Sequence, residues 1–167
     1  MFDPEVLALA EKVVEANRAA GRMIATAESC TGGLVAAAIT AVPGASDVFD
    51  RGFVTYSNEA KLEMLEVSEE ILATLGAVSE ATAWAMARGA IEHSRAQVAV
   101  SISGIAGPGG GTEKKPVGTV VFARAQRGEG GTIDDRAILA DVHQIGDLGR
   151  DEIRRQAVLI ALRLLLP

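Results

Sequence analysis

Three polar clusters in this 167-residue chain contain residue types that could carry a reaction. The first is Ala27-Glu28-Ser29-Cys30-Thr31-Gly32-Gly33, between the extended apolar run Met23–Ala27 and the alanine-rich, helical run Leu34–Ile39. It sits where a strand turns into a helix. A helix start offers unpaired N–H groups and a partial positive charge, and glycines there let a ligand approach the backbone. A serine just before such amides is placed as a nucleophile beside an oxyanion hole would be. The simpler alternative is that Ser29 or Thr31 only caps the helix. Cys30 is a rival nucleophile, since a thiol near a helix start can have a lowered pKa. Neither His93 nor His143 lies near it in sequence to activate it, and a buried apolar cysteine is the commoner case.

The second cluster is Tyr56 to Lys61. Gly52–Ser57 reads as a strand, Asn58 as an N-cap, and Glu59–Leu65 as a short helix with Lys61 in its first turn. The helix dipole opposes a cation there. A lysine so placed is either solvated or has a depressed pKa, and a depressed pKa makes it usable as a base. Tyr56 and Lys61 are one residue too far apart for the Tyr-x-x-x-Lys pair of short-chain dehydrogenases, and no dinucleotide turn accompanies them. The third cluster runs from Ser103 to Lys115 and is the most glycine-dense stretch of the chain. It lacks the Gly-Lys-Ser/Thr ending of a P-loop, and a strand follows it instead of a helix. Ordering it costs about 1–2 kcal/mol per residue, which a ligand would offset; otherwise it is a flexible connection.

The elements that must carry these clusters alternate between strand and helix for the first hundred residues. Asp3-Pro4-Glu5 starts a helix that Gly21 closes. A short helix follows Ser68 and a longer one runs from Ser79 to about Ser94, with Trp84 off its apolar stripe and so half-exposed or packed on a neighbouring subunit. Gln97–Ser103 and Val117–Ala125 read as strands. A turn at Arg127–Gly131 leads to an antiparallel edge strand around Ile133 to Leu139. Asp141–Gly149 reads as a linker and Arg150–Leu166 as a closing helix. The pattern predicts one domain over residues 1–167. Its fold would be a three-layer α/β/α sandwich around a mixed, mostly parallel sheet of about five strands. All three clusters follow strands, and ligands bind at strand carboxyl ends in such sheets.

Composition narrows the function classes. Net charge is −6, and no basic stripe is available to neutralise nucleic-acid phosphates. No apolar run is long enough to cross a bilayer, and a single cysteine precludes an intrachain disulfide, so the cytoplasm is the expected location. The two histidines show no metal-ligand spacing.

The clusters together resemble the CinA C-terminal-domain family, whose characterised enzymes are nicotinamide mononucleotide deamidases. The matching segments are Ala27–Gly33, Val54–Lys61, Gly76–Glu80, Ser103–Pro108 and Lys115–Val120, in fixed order over most of the chain. Ser103 stands where the family commonly has threonine and keeps the hydroxyl. The resemblance implies a stand-alone α/β/α domain that hydrolyses the carboxamide of nicotinamide mononucleotide, without a redox cofactor, as a homo-oligomer. Amide hydrolysis needs a nucleophile, a proton carrier and oxyanion donors. Ser29 is then the nucleophile, and Lys61 the base, directly or through Tyr56. Substrate-binding roles fall to Glu28, Cys30, Thr31, Gly32, Gly33, Asn58, Ser103, Gly104, Gly107, Gly110, Thr112 and Lys115. The amides of Thr31, Gly32 and Gly33 would take either the oxyanion or the phosphate. The glycine loop with Thr112 and Lys115 would take the other. The alternative from another class is a regulatory nucleotide-binding module without turnover, because relatives are linked to competence and DNA damage.

Overall fold

The computed structural model describes residues 2–167. Five strands form one sheet: β1 (Ile24–Glu28), β2 (Phe49–Val54), β3 (Val98–Gly104), β4 (Thr119–Gln126) and β5 (Leu139–Gln144), in the order β2-β1-β3-β4-β5. β1 pairs in parallel with β2 and β3, while β4 is antiparallel to both β3 and β5. β1, β2, β3 and β5 therefore share one direction and β4 alone opposes them.

Alternate strand residues feed two separate cores. Ile24, Val98, Val100, Ile102, Val120 and Phe122 face the layer made by α1 (Pro4–Ala19), α2 (Leu34–Thr40) and α6 (Arg150–Leu164). Ala25, Ala27, Ala99, Val121, Ala123 and Ala125 face the layer of α3 (Asn58–Leu65), α4 (Glu69–Thr74) and α5 (Glu80–Glu92). The second face is mostly alanine, which lets α5 lie close to the sheet. Gly89 of α5 takes this further: a Cβ there would sit 2.2 Å from the Leu65 carbonyl oxygen at the end of α3. That contact fixes where α3, and so Lys61, lies.

Helix starts follow the capping residues. Asp3 accepts from the Val6 amide, Ser68 from Ile71 and Ser79 from Thr82. Two boundaries differ from expectation. β2 begins at Phe49 and ends at Val54, which frees Thr55, Tyr56 and Ser57 to form the approach to α3. Ser57, not Asn58, caps that helix, accepting from the Ala60 amide.

The last strand lies later than the alternation of Ile133 to Leu139 predicts. Within residues 127–138 only Arg127 and Ile133 form a bridge, and two 3₁₀ turns occupy Glu129–Gly131 and Asp135–Ala137. Asp134 accepts from the Arg136 amide, bending the chain, while half-buried Trp84 and Arg88 of α5 hold Asp135 through its carbonyl and carboxylate. The strand forms at Leu139–Gln144, where a linker was expected, because β4 supplies the pairing. As an edge strand it buries little side-chain surface and so carries little apolar signature. No described helix is long and apolar enough to cross a membrane.

Candidate active site

Ser29 follows the last residue of β1. Its amide donates to the Ile102 carbonyl of β3 (2.9 Å), and the Glu28 carbonyl accepts from Thr55 N (2.8 Å), so the parallel pairing continues one step past the strands. This holds Ser29 beside the Thr55–Tyr56 connection. Lys61, one turn into α3, reaches back to both. Its Nζ lies 3.0 Å from Ser29 Oγ, 2.8 Å from the Thr55 carbonyl oxygen and 3.2 Å from that of Tyr56. Lys61 is fully buried, and desolvation lowers its pKa from the ordinary lysine value. The two carbonyls can only accept, so they take two N–H bonds in either protonation state. The third position faces Ser29. As ammonium, Lys61 donates there; as neutral amine, it turns its lone pair to the Ser29 hydroxyl.

Glu28 is also fully buried, and its carboxylate serves the first turn of α2. Oε2 accepts from Thr31 Oγ1 (2.7 Å), Gly33 N (3.1 Å) and Val35 N (3.0 Å), and Oε1 from Ala36 N (2.9 Å). It does the work of a capping side chain at a helix whose own N-cap, Gly33, has none and takes φ +94°. Gly32 N donates to the Ser29 carbonyl (3.0 Å). Gly32 and Gly33 amides are therefore engaged internally. In this turn the amide of Thr31 has no protein acceptor among the described residues, and that of Cys30 has none beyond its own thiol. The Cys30 side chain is buried, and burial pushes its thiol up to about 11, so it stays protonated at neutral pH.

Two arginines of α6 complete the rim and were missed by sequence reasoning. Arg154 donates from Nε to the Cys30 carbonyl (3.1 Å) and from Nη2 to the Thr31 carbonyl (3.2 Å). Arg150 donates from Nη1 to the Gly107 carbonyl (2.8 Å) and from Nη2 to the Tyr56 hydroxyl (3.3 Å). Neither forms an ion pair with a carboxylate among the described residues. A signal was available for Arg150, which like Lys61 is a cation in the first turn of a helix, where the dipole opposes it; Arg154 stands a turn further in and carries no such signal. Tyr56 meets Lys61 through its backbone, while its side chain is 62% exposed and turned to Arg150.

The glycine-dense segment divides between scaffold and surface. Ser103 is buried and donates to the Ala77 carbonyl (2.7 Å), tying down the turn before α5. Gly104 packs on β4, where a Cβ would meet Val120 Cγ2 at 2.8 Å. Gly107 is buried and offers its carbonyl to Arg150. Beyond it, Gly110 and Thr112 are exposed and line an open groove with Glu113, Pro116, Val117 and Asp147. Thr112 and Lys115 close a turn through Lys115 N to Thr112 Oγ1 (3.0 Å), and Lys115 Nζ donates to the Leu75 carbonyl (2.8 Å). Asn58 is exposed and lines a separate groove between α3 and α4. The structure thus brings together Ser29, Cys30, Thr31, Tyr56, Lys61 and Gly107, and gives Glu28, Ser103 and Gly104 partners within the fold.

Known proteins are similar to this chain over most or nearly all of its length. Nicotinamide-nucleotide amidohydrolase PncC of Escherichia coli (strain K12) is 55% identical over 166 residues, covering 99% of this chain and 95% of the relative. A putative competence-damage inducible protein of Symbiobacterium thermophilum is 55% identical over 144 residues, 85% of this chain but 33% of that longer protein. The crystal structure of competence/damage inducible protein CihA from Agrobacterium tumefaciens superposes with a TM-score of 0.91 at 47% identity, covering 99% of this chain and 96% of that one. The CinA C-terminal domain pattern matches residues 6–167, and the chain belongs to that family.

Proposed function

We propose that the chain hydrolyses the carboxamide of nicotinamide mononucleotide to nicotinate mononucleotide and ammonia, with Ser29 as nucleophile and Lys61 as its proton carrier. The observation that carries this reading is the 3.0 Å approach of Lys61 Nζ to Ser29 Oγ with two carbonyls holding the amine's other donors. Neutral Lys61 takes the Ser29 proton as Oγ bonds to the carboxamide carbon. The negative oxygen falls to the amides of Cys30 and Thr31. Lys61 then returns the proton to the departing nitrogen as the C–N bond breaks, releasing ammonia and leaving an acyl-serine. Water adds to that ester with Lys61 accepting its proton and giving it back to Ser29 Oγ. Each proton is carried by Lys61.

Because Glu28 occupies the amides at the start of α2, the substrate phosphate is assigned to the glycine-loop side, with Arg150, Gly110 and Thr112. Tyr56 helps to orient the nucleotide at the rim through its hydroxyl bond to Arg150. A homo-oligomer in the cytoplasm belongs to the same proposal, as does the absence of nucleic-acid partners.

Ammonia release from nicotinamide mononucleotide tests the reading. Ser29→Ala should lower turnover at least about 10³-fold, as loss of an acyl-enzyme nucleophile does. Cys30→Ala should stay within a few-fold of the parent chain. Calorimetric binding without any ammonia would replace the enzyme with a non-catalytic nucleotide-binding module.

A further inference from the structure

We infer that Arg154 is a positioning residue for the reaction: it clamps the carbonyls of Cys30 and Thr31 and thereby aims the free amide of Thr31 at the developing oxyanion. This rests on the proposed role of Ser29.

The argument is one of peptide geometry. A trans peptide is planar, and its C=O and N–H point in opposite directions. The peptide joining Cys30 to Thr31 has its carbonyl bonded to Arg154 Nε at 3.1 Å. Its N–H, on Thr31, must therefore point away from α6, and it meets no protein acceptor among the described residues. The next carbonyl, of Thr31, is bonded to Nη2 of the same guanidinium at 3.2 Å. The planar guanidinium fork thus fixes two consecutive peptide planes at once. The Thr31–Gly32 plane is held as well by Leu34 N on the Thr31 carbonyl (3.2 Å) and by Gly32 N on the Ser29 carbonyl (3.0 Å), whereas the Cys30 carbonyl, and with it the plane that carries the Thr31 N–H, accepts from Arg154 alone among the described residues. Glu28 grips the far end of the same turn through Gly33, Val35 and Ala36. Only Arg154 grips the end nearest Ser29 from the α6 side.

The cation adds an electrostatic effect. Arg154 is half-buried and forms no ion pair with a carboxylate among the described residues, so its charge acts on the carbonyls it touches. Polarising the Cys30 carbonyl makes the Thr31 N–H a stronger donor. An arrangement whose purpose was only to dock α6 would be served as well by a paired arginine. Arg155, one residue on, is of that kind, bound to Asp3, Glu5 and Glu152.

The test compares the parent chain with Arg154→Ala and Arg154→Lys, each first shown to melt cooperatively. Two rates are read. One is ammonia release from nicotinamide mononucleotide, resolved into kcat and KM. The other is phosphonylation of Ser29 by a small alkyl fluorophosphonate, followed by intact mass. In that step Oγ bonds to phosphorus, fluoride leaves and Lys61 takes the proton. Arg154→Ala should lower kcat about 10- to 100-fold with KM within about threefold, and slow phosphonylation comparably. Arg154→Lys keeps the cation and one of the two bonds and should recover part of both rates. If Arg154→Ala folds and both rates stay within twofold of the parent, the inference is wrong. If Arg154→Ala does not fold, unchanged rates in Arg154→Lys together with an altered melting temperature would assign a purely structural role and also overturn it. A parent chain that is phosphonylated at Ser29 but releases no ammonia would remove the proposed substrate. Slower labelling in Arg154→Ala would then still support the positioning role.

Discussion

At the scale of single residues, Lys61 links stability to chemistry. Desolvation lowers its pKa in the fold, so between that lowered value and the unfolded lysine value of about 10.4 the unfolded chain binds more protons than the native one. Stability should therefore rise with pH through this window and be lowest, as far as Lys61 is concerned, below it. In the proposed mechanism turnover requires the neutral amine, so it should rise over the lower edge of the same window. Two measurements check this: the pH midpoint of kcat, and melting temperature against pH for the parent chain and Lys61→Met. The variant should be inactive, and its melting curve should lose the upward slope that begins at the kinetic midpoint. A kinetic midpoint at the ordinary lysine value would show that burial does not tune the base. Cys30 offers the contrast. Burial pushes its thiol to about 11, so modification by a thiol reagent at neutral pH should be slow.

At the scale of elements, the site depends on how helices begin. α2 starts on the carboxylate of Glu28, which accepts four bonds from the turn and first residues of the helix. Glu28→Gln keeps the shape but removes the charge and turns one acceptor into a donor facing amides. Charge-assisted bonds are worth about 1.5–3 kcal/mol each before redundancy, so a net loss of about 2–3 kcal/mol is expected. That corresponds to a fall in melting temperature of roughly 4–12 °C for a chain of this size. α3 is placed by its C-terminal contact with α5. Gly89→Ala would drive a methyl carbon to 2.2 Å from the Leu65 carbonyl oxygen and separate the two helices. The expected cost is about 1–3 kcal/mol, with a loss of turnover beyond that cost as Lys61 Nζ moves from Ser29 Oγ. Chemical denaturation and kcat on the folded fraction measure the two effects separately.

At the scale of the whole molecule, the candidate site and a purely structural clamp occupy opposite ends of the sheet. The carboxyl ends of β1, β2 and β3 carry the Ser29 turn, the approach to α3 and the glycine loop, and α6 reaches over them with two arginines. The other end is closed by Arg127, whose guanidinium donates to the carbonyls of Ala96, Ile91, Ser94 and Gly131. Arg127→Ala should lower the denaturant midpoint by the equivalent of about 2–4 kcal/mol, since buried carbonyls lose their donors. Activity per folded molecule should be unchanged. A proportionate loss of kcat would mean the two ends are coupled. The Ser29 turn is held from both layers, by Lys61 from the α3–α5 side and by Arg154 from the α1–α6 side, so its geometry belongs to the assembled sandwich.

What the sequence determined by itself was local or pairwise in kind. Strand-then-helix alternation required a layered α/β fold, because parallel strands must be joined by crossovers. A serine between an apolar run and an alanine-rich run had to lie at a strand end, and a lysine opposed by a helix dipole stood out as a misfit. Tertiary structure decided what those residues touch. Glu28 reads as a ligand-facing acid in sequence, yet folds back to cap the helix behind it, because only the closed turn brings four donors to its carboxylate. Ser103 and Gly104 sit in a glycine-rich motif but spend their contacts on Ala77 and on β4, which lie far along the chain. β5 formed where side chains gave no alternation, since its bonds are backbone bonds to β4. Arg150 and Arg154 entered the site across more than ninety residues of chain, through a helix whose approach is set by packing on α1 and the sheet. Periodicity and capping act over a few residues and can be read in order. Long-range placement is fixed by burial and hydrogen-bond completion in three dimensions, and these exist only once the layers meet.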